Sequence, residues 1–191
     1  MALCFTHASA GYLVYEAVRP AGKHRLELLA SAIVLANAPD FDFVPGLIVG
    51  RPGAFHRGLT HTLAAVLAVA AMGAVVGWWR RPMARGPAWW ASFAGAAYGA
   101  HLLVDFLTID AVAPYGARFL WPLSDGFQHA GVTPFSEIVL DASGRMAFVR
   151  SLLTPAALAV WMREVVLAVV VIGGVLAARA LGRSRVPRFA E

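Results

Sequence analysis

Residues 59–79, LTHTLAAVLAVAAMGAVVGWW, and residues 87–109, PAWWASFAGAAYGAHLLVDFLTI, decide the fold. Each is a run of Ala, Val, Leu, Gly and aromatic residues of about the 20-residue length that lets a helix cross a bilayer. A third run, Pro155–Leu181, is interrupted by Arg163 and Glu164 and continuous from Val165 to Ala178. Toward the N-terminus lie two shorter apolar runs, Ala2–Val18 and Leu26–Ala36, split by RPAGKHR and read as an antiparallel pair packed on the longer helices. Small residues in GAAYGA and VIGGVLAA allow helix backbones to approach closely.

Composition agrees. Of 191 residues 59% are hydrophobic and 14% charged, and the mean hydropathy is +0.66. A soluble domain carries about 25% charged residues, so this chain lacks the polar surface to clothe a water-soluble globule. The expected architecture is all-α: a polytopic integral membrane bundle of about four to five helices, forming one domain over residues 1–191. Core motifs fill residues 5–125, and a loop and last membrane helix fill 126–191. A single cysteine, Cys4, makes no intramolecular disulfide and reads as a small apolar residue. The net charge of +5 does not signal nucleic acid, because the basic residues cluster beside apolar runs, where membrane topology explains them.

Counting Lys and Arg in short loops orients the chain. One side receives Arg19, Lys23, Arg25, Arg80, Arg81, Arg85, Arg179, Arg183, Arg185 and Arg188, and is therefore cytoplasmic. The other receives Arg51, Arg57, Arg118, Arg145 and Arg150 over far longer loops. That arrangement places 40–57 and 110–154 outside, on the periplasmic face of a bacterial inner membrane.

Ionisable side chains at membrane depth cost a few kcal/mol each and are kept when paired, metal-bound or lining a cavity. His7, Asp40, Asp42, His56, His61, His101 and Asp105 all lie in or beside the apolar runs. In HLLVD, His101 and Asp105 are i and i+4 on one helix face. In NAPDFDF the proline discourages helix, and Asp40 and Asp42 can turn toward one point. FHRGLTHT sets His56 and His61 at the mouth of a membrane helix. The orientation, which uses no histidine, brings all seven groups to the outer interface.

Seven such residues form a candidate metal site. Mixed imidazole and carboxylate ligands suit zinc, manganese or iron, and the number of ligands favours two ions with an aspartate bridge. The chemistry expected is phosphoester or amide hydrolysis by metal-activated water, phosphoester favoured. Asp40, Asp42 and Arg57 are the candidate catalytic residues. Arg57 reads equally as a phosphate clamp and as a headgroup-region cation. Asn37 and Thr60 read either as donors that orient ligands or as caps. Tyr115, Trp89, Trp90 and Trp121 read as interfacial anchors.

These residues resemble the YdjM-like family of membrane-bound metal-dependent hydrolases, also described as LexA-binding and inner-membrane-associated. The resemblance rests on THASAG at His7, NAPDFD, HRGLTHT, HLLVD and PYGARFLWPLS, and covers roughly residues 5–125. It implies an inner-membrane helical protein with the metal ligands named above. The order of motifs is loosely similar to zinc-dependent phospholipase C, although no later HxxxE helix accompanies His129 and Glu137. Expected partners are the lipid bilayer and a lipid or lipid-linked substrate. The alternative is a non-enzymatic inner-membrane partner with a structural metal, recruiting a cytoplasmic regulator protein.

Overall fold

A computed structural model describes residues 4–18, 25–79, 85–108, 115–132, 135 and 138–184. Among these the regular structure is helical, apart from two isolated bridges pairing Thr108 with Phe135 and Ala117 with Gln128. Helix α1 is Cys4–Val18 and α2 is Arg25–Asn37. The chain then tightens into a 3-10 turn, Ala38–Asp42, and resumes as α3, Phe43–Ile48. Pro39 sets the break, because it has no N–H for the α2 ladder and its ring disfavours helix at Ala38.

A second 3-10 turn, Leu59–His61, precedes α4, Leu63–Trp79. The helix expected from Leu59 therefore starts four residues later. Thr62 is extended, and its Oγ1 caps the first turn by accepting the Ala65 N–H at 3.1 Å. Helix α5, Pro87–Phe106, opens on proline at its first position, where a missing N–H costs nothing. Its expected extension to Ile109 stops short at Phe106, where the Leu107 amide closes onto the Leu103 and Val104 carbonyls. Short α6, Arg145–Ser151, and long α7, Pro155–Ser184, complete the order. His24, Ile109, Asp110 and Glu137 lie outside the described residues.

Among the described residues two stretches are long and apolar enough to cross a membrane, Arg25–Ile48 and Pro155–Leu181. The first joins the short run Leu26–Ala36 to the turn carrying Asp40 and Asp42, so the candidate ligands sit in the break of a membrane-length segment. Irregular backbone at such depth is tolerated where protein buries it or it lines a cavity. Helix α4 is apolar but shorter.

Helix α5 packs against α1, α2 and α4, with Tyr15, Leu28, Ala32, Phe93 and Ala97 in the buried centre. Close approach of α4 to α5 depends on Gly73, where an added Cβ would lie 2.5 Å from the Trp90 carbonyl oxygen. Gly73→Leu should cost about 1–3 kcal/mol by overpacking and lower the unfolding midpoint in detergent. Gly173→Leu, on an open stretch of α7, should leave that midpoint unchanged. Helix α7 is fastened to α1 at two levels. The buried Glu164 carboxylate accepts the Thr6 N–H at 3.2 Å, and Arg179 pairs with Glu16.

Candidate metal centre

Five separate segments deliver the seven predicted ligands to one place. Helix α1 supplies His7, the Pro39 turn supplies Asp40 and Asp42, the 53–58 loop supplies His56, the second turn supplies His61, and α5 supplies His101 and Asp105. His7, His61 and His101 are fully buried, and Asp105 nearly so. Buried polar groups ordinarily find hydrogen-bond partners. Here both His7 nitrogens, both Asp105 oxygens and Asp40 Oδ1 have none among the described residues.

Proton positions on two of the rings follow from their neighbours. His101 Nδ1 lies 2.8 Å from the Ala36 carbonyl oxygen, which can only accept, so Nδ1 carries the hydrogen. Thr60 Oγ1 gives its only proton to Asp42 Oδ2 at 2.8 Å, so its 2.9 Å contact with His61 Nδ1 makes that nitrogen a donor as well. In the neutral rings both Nε2 atoms then present lone pairs, and they face each other at 3.2 Å. Asp40 Oδ1 lies 3.5 and 3.6 Å from the His61 and His101 Nε2 atoms, and Asp105 Oδ2 lies 3.5 and 3.4 Å from them. Two lone pairs and two carboxylates in contact call for a positive charge among them, a proton on one ring or a metal ion.

The spacing fits a cation. Ligands about 2.0–2.2 Å from a tetrahedral metal stand about 3.3–3.6 Å apart, close to the separations found here. A second set of donors flanks the first. His7 Nε2 approaches Asp105 Oδ1 at 3.6 Å and Asp40 Oδ2 at 3.9 Å, and the His7 ring stacks on His101 with centroids 3.7 Å apart. Two groups, His7 with His101 and Asp105, and Asp40 with His56 and His61, each hold ligand atoms within 4.8 Å of one another. The buried His and Asp residues could hold a metal ion.

Asp42 occupies a different position from Asp40. Its carboxylate accepts from His56 Nδ1 at 3.0 Å and from Thr60, and it lies 3.2 Å from His61 Nδ1. It thus grips the two imidazoles from behind, the arrangement in which a carboxylate fixes a ligating histidine's tautomer and direction. Burial pushes the His56 imidazole below its ordinary pKa, against the pull of Asp42. Thr60 shares this grip, as the sequence allowed, whereas the Asn37 side chain donates back to the Ile33 carbonyl.

Tyr98, one helical turn before His101, was not singled out by the sequence. Its hydroxyl donates to the Thr60 carbonyl at 2.8 Å and so ties α5 to the histidine loop; the i, i+3 spacing to His101 is the signal that marks it. Arg57 has a left-handed backbone, φ 59°, and its guanidinium donates to the Gly116 carbonyl at 3.3 Å. His129 is exposed and its Nδ1 contacts the Ala130 carbonyl, away from the cluster.

Beside Asp42, His56 and Thr60 opens a cavity of 1020 Å³, also lined by Arg57 and Arg118 and walled by apolar residues that include Phe41, Phe43, Ile138 and Phe148. Phe43 stacks on the His56 ring at 4.0 Å and meets Phe148 of α6 at 5.2 Å.

The YdjM inner membrane protein family matches residues 1–186. The chain belongs to this family. The match extends past the expected limit of residue 125 and takes in α6 and α7. No curated protein and no solved structure matches the chain.

Proposed function

We propose that this YdjM-family protein is a membrane-bound metal-dependent hydrolase acting on a phosphoester, in a single multi-pass domain whose site faces the outer side of the inner membrane. The observation that carries the reading is the pair of facing Nε2 lone pairs on His61 and His101, flanked by the Asp40 and Asp105 carboxylates, with the adjoining Asp42, His56 and Thr60 lining a large cavity. His7, Asp40, His56, His61, His101 and Asp105 would hold one or two divalent ions, with zinc favoured by the imidazole and carboxylate donors. When bound, such an ion lowers the pKa of water and polarises the ester. The motif order parallels zinc-dependent phospholipase C, and the bundle of four to five helices assigned from the apolar runs would close around the site.

The chain's own residues divide the remaining tasks. Asp42 and Thr60 hold His56 and His61 in their ligating directions. Asp40, in the group with His56 and His61, also lies 3.6 Å from His101 Nε2 and 3.9 Å from His7 Nε2 and so would link the two groups. Arg57, at the cavity wall, meets negative charge that develops on the ester. The four-atom group of His61, His101, Asp40 and Asp105 is closed by protein, whereas the His56 side borders the cavity, and an open position is what separates a catalytic metal from a structural one.

The test is turnover by the full chain, purified in detergent, on a panel of phosphodiesters and phosphomonoesters before and after chelation. Turnover that falls at least 100-fold on chelation and returns with zinc or manganese is expected. Full metal occupancy with no turnover on any ester of the panel would instead support the structural-metal alternative.

A further inference from the structure

The cavity beside the cluster has two unlike walls. One carries guanidinium groups. The Arg57 side chain bonds the Gly116 carbonyl, and two residues on Arg118 is held between buried Ala117 and buried Phe119. That short segment is fixed on both sides: Ala117 exchanges backbone hydrogen bonds with Gln128 at 2.9 and 3.2 Å, and the Phe119 carbonyl accepts the Leu63 N–H at 2.8 Å. Gly116 makes the arrangement possible, since an added Cβ would strike the Gln128 carbonyl and its φ is +87°. Arg118 itself pairs loosely with exposed Asp125, at 3.8 Å, and lies over the Phe127 ring, 5.9 Å from its centroid. Two cations are thus built into one wall, and the carboxylate of Asp42, on the same cavity, is already engaged by His56 and Thr60.

Much of the remaining lining is apolar, and it reaches the surface. Phe41, Leu59 and Val139 line the cavity yet are 59%, 64% and 60% exposed. In water, exposed side chains of this kind would cost about 25 cal/mol per Å², but hydrocarbon removes that cost. At 1020 Å³ the space lies at the top of the roughly 300–1,000 Å³ range of small-molecule pockets, far more than a phosphate ion needs. Arginine is the residue suited to bidentate phosphate recognition.

We infer that the cavity binds a phosphate-bearing lipid drawn from the surrounding bilayer, its phosphate between Arg57 and Arg118 and its acyl chain along the Phe41, Leu59 and Val139 wall. The inference rests on the hydrolase reading for its consequence, since it names the substrate class, but binding can be measured without turnover.

The experiment uses the full-length, metal-replete protein in detergent and isothermal titration with a dioctanoyl phosphonate analogue of phosphatidic acid, whose P–C bond resists hydrolysis. Dioctanoylglycerol and inorganic phosphate should each bind at least tenfold more weakly than the analogue. Arg118→Gln and Arg57→Gln should each weaken the analogue at least tenfold with metal content unchanged, and Arg118→Lys should recover part of the loss. Val139→Asp should weaken the analogue but not inorganic phosphate. Equal binding of the neutral lipid, equal binding of inorganic phosphate, or unchanged binding by both arginine variants would each overturn the inference. Turnover of a soluble aryl phosphodiester without binding of the lipid analogue overturns this inference and leaves the hydrolase reading standing. Lipid binding without turnover on any ester does the reverse.

Discussion

His101→Ala is expected to empty the metal centre. The His101 ring contributes one of four donor atoms that lie within 3.2–3.6 Å of their neighbours, and no other buried imidazole stands ready to replace it, because His7 stacks on its face and points between Asp105 and Asp40. Losing an orienting partner typically costs 10- to 100-fold in metal affinity, and losing the ligand itself should exceed that, so elemental analysis per protomer should find the ion absent. The substitution also leaves the Ala36 carbonyl unpaired in a buried site, a cost of about 1–3 kcal/mol. Asp105→Asn is therefore the companion variant: it keeps the side-chain shape, contacts no backbone group through its carboxylate, and removes the charge. Both should lose metal, whereas His129→Ala, in an exposed loop, should retain it. Wild-type metal stoichiometry in both His101→Ala and Asp105→Asn would sink the metal centre as drawn here.

Asp42→Ala separates two roles that one sequence motif cannot. Asp40 and Asp42 stand two residues apart in NAPDFDF and look equivalent as letters. In the Pro39 turn they diverge, Asp40 toward the Nε2 atoms and Asp42 toward the Nδ1 atoms of His56 and His61. Loss of Asp42 should lower metal affinity 10- to 100-fold, within reach of added metal, and leave turnover partly restored at high zinc. Asp40→Ala should not be rescued in this way.

The convergence of the seven His and Asp side chains was legible because ionisable residues are rare in apolar runs, and because the count of flanking Lys and Arg, made without reference to them, assigned all seven to one end of those runs. What could not be read was the interior of the site. The tautomer of His101 depends on the Ala36 carbonyl, 65 positions away, and that of His61 on the neighbouring Thr60 hydroxyl, whose proton is taken by Asp42, 18 positions away. Helix limits failed for a local reason. Leu59, Thr60 and His61 are hydropathically continuous with the run that follows, but Thr62 caps α4 and leaves them in a turn that aims His61 inward. The wall supplied by 138–148 was invisible, because its links to the site are long-range: Phe148 meets Phe43, and the Arg145 guanidinium caps α3 at the Leu47 and Ile48 carbonyls, nearly a hundred residues away.

Arg57→Gly should leave the fold intact and remove most of the activity. Arg57 holds φ at 59°, a left-handed conformation that costs a residue with a Cβ about 1–2 kcal/mol and costs glycine almost nothing. Against that gain stand the greater freedom of glycine in the unfolded chain and the loss of the guanidinium's contacts, the long hydrogen bond to Gly116 among them, together about 1–2 kcal/mol. The two sides nearly cancel, so the unfolding midpoint of Arg57→Gly should lie within a few degrees of wild type, while Arg57→Ala, which keeps the strain and loses the bond, should unfold earlier. Activity should behave otherwise: removing a cation that faces developing negative charge costs about 10²–10³ in kcat, and both variants should show that loss with full metal content. If Arg57→Gly hydrolyses the preferred ester at the wild-type rate, the guanidinium serves only to hold the Gly116 loop and has no part in the chemistry.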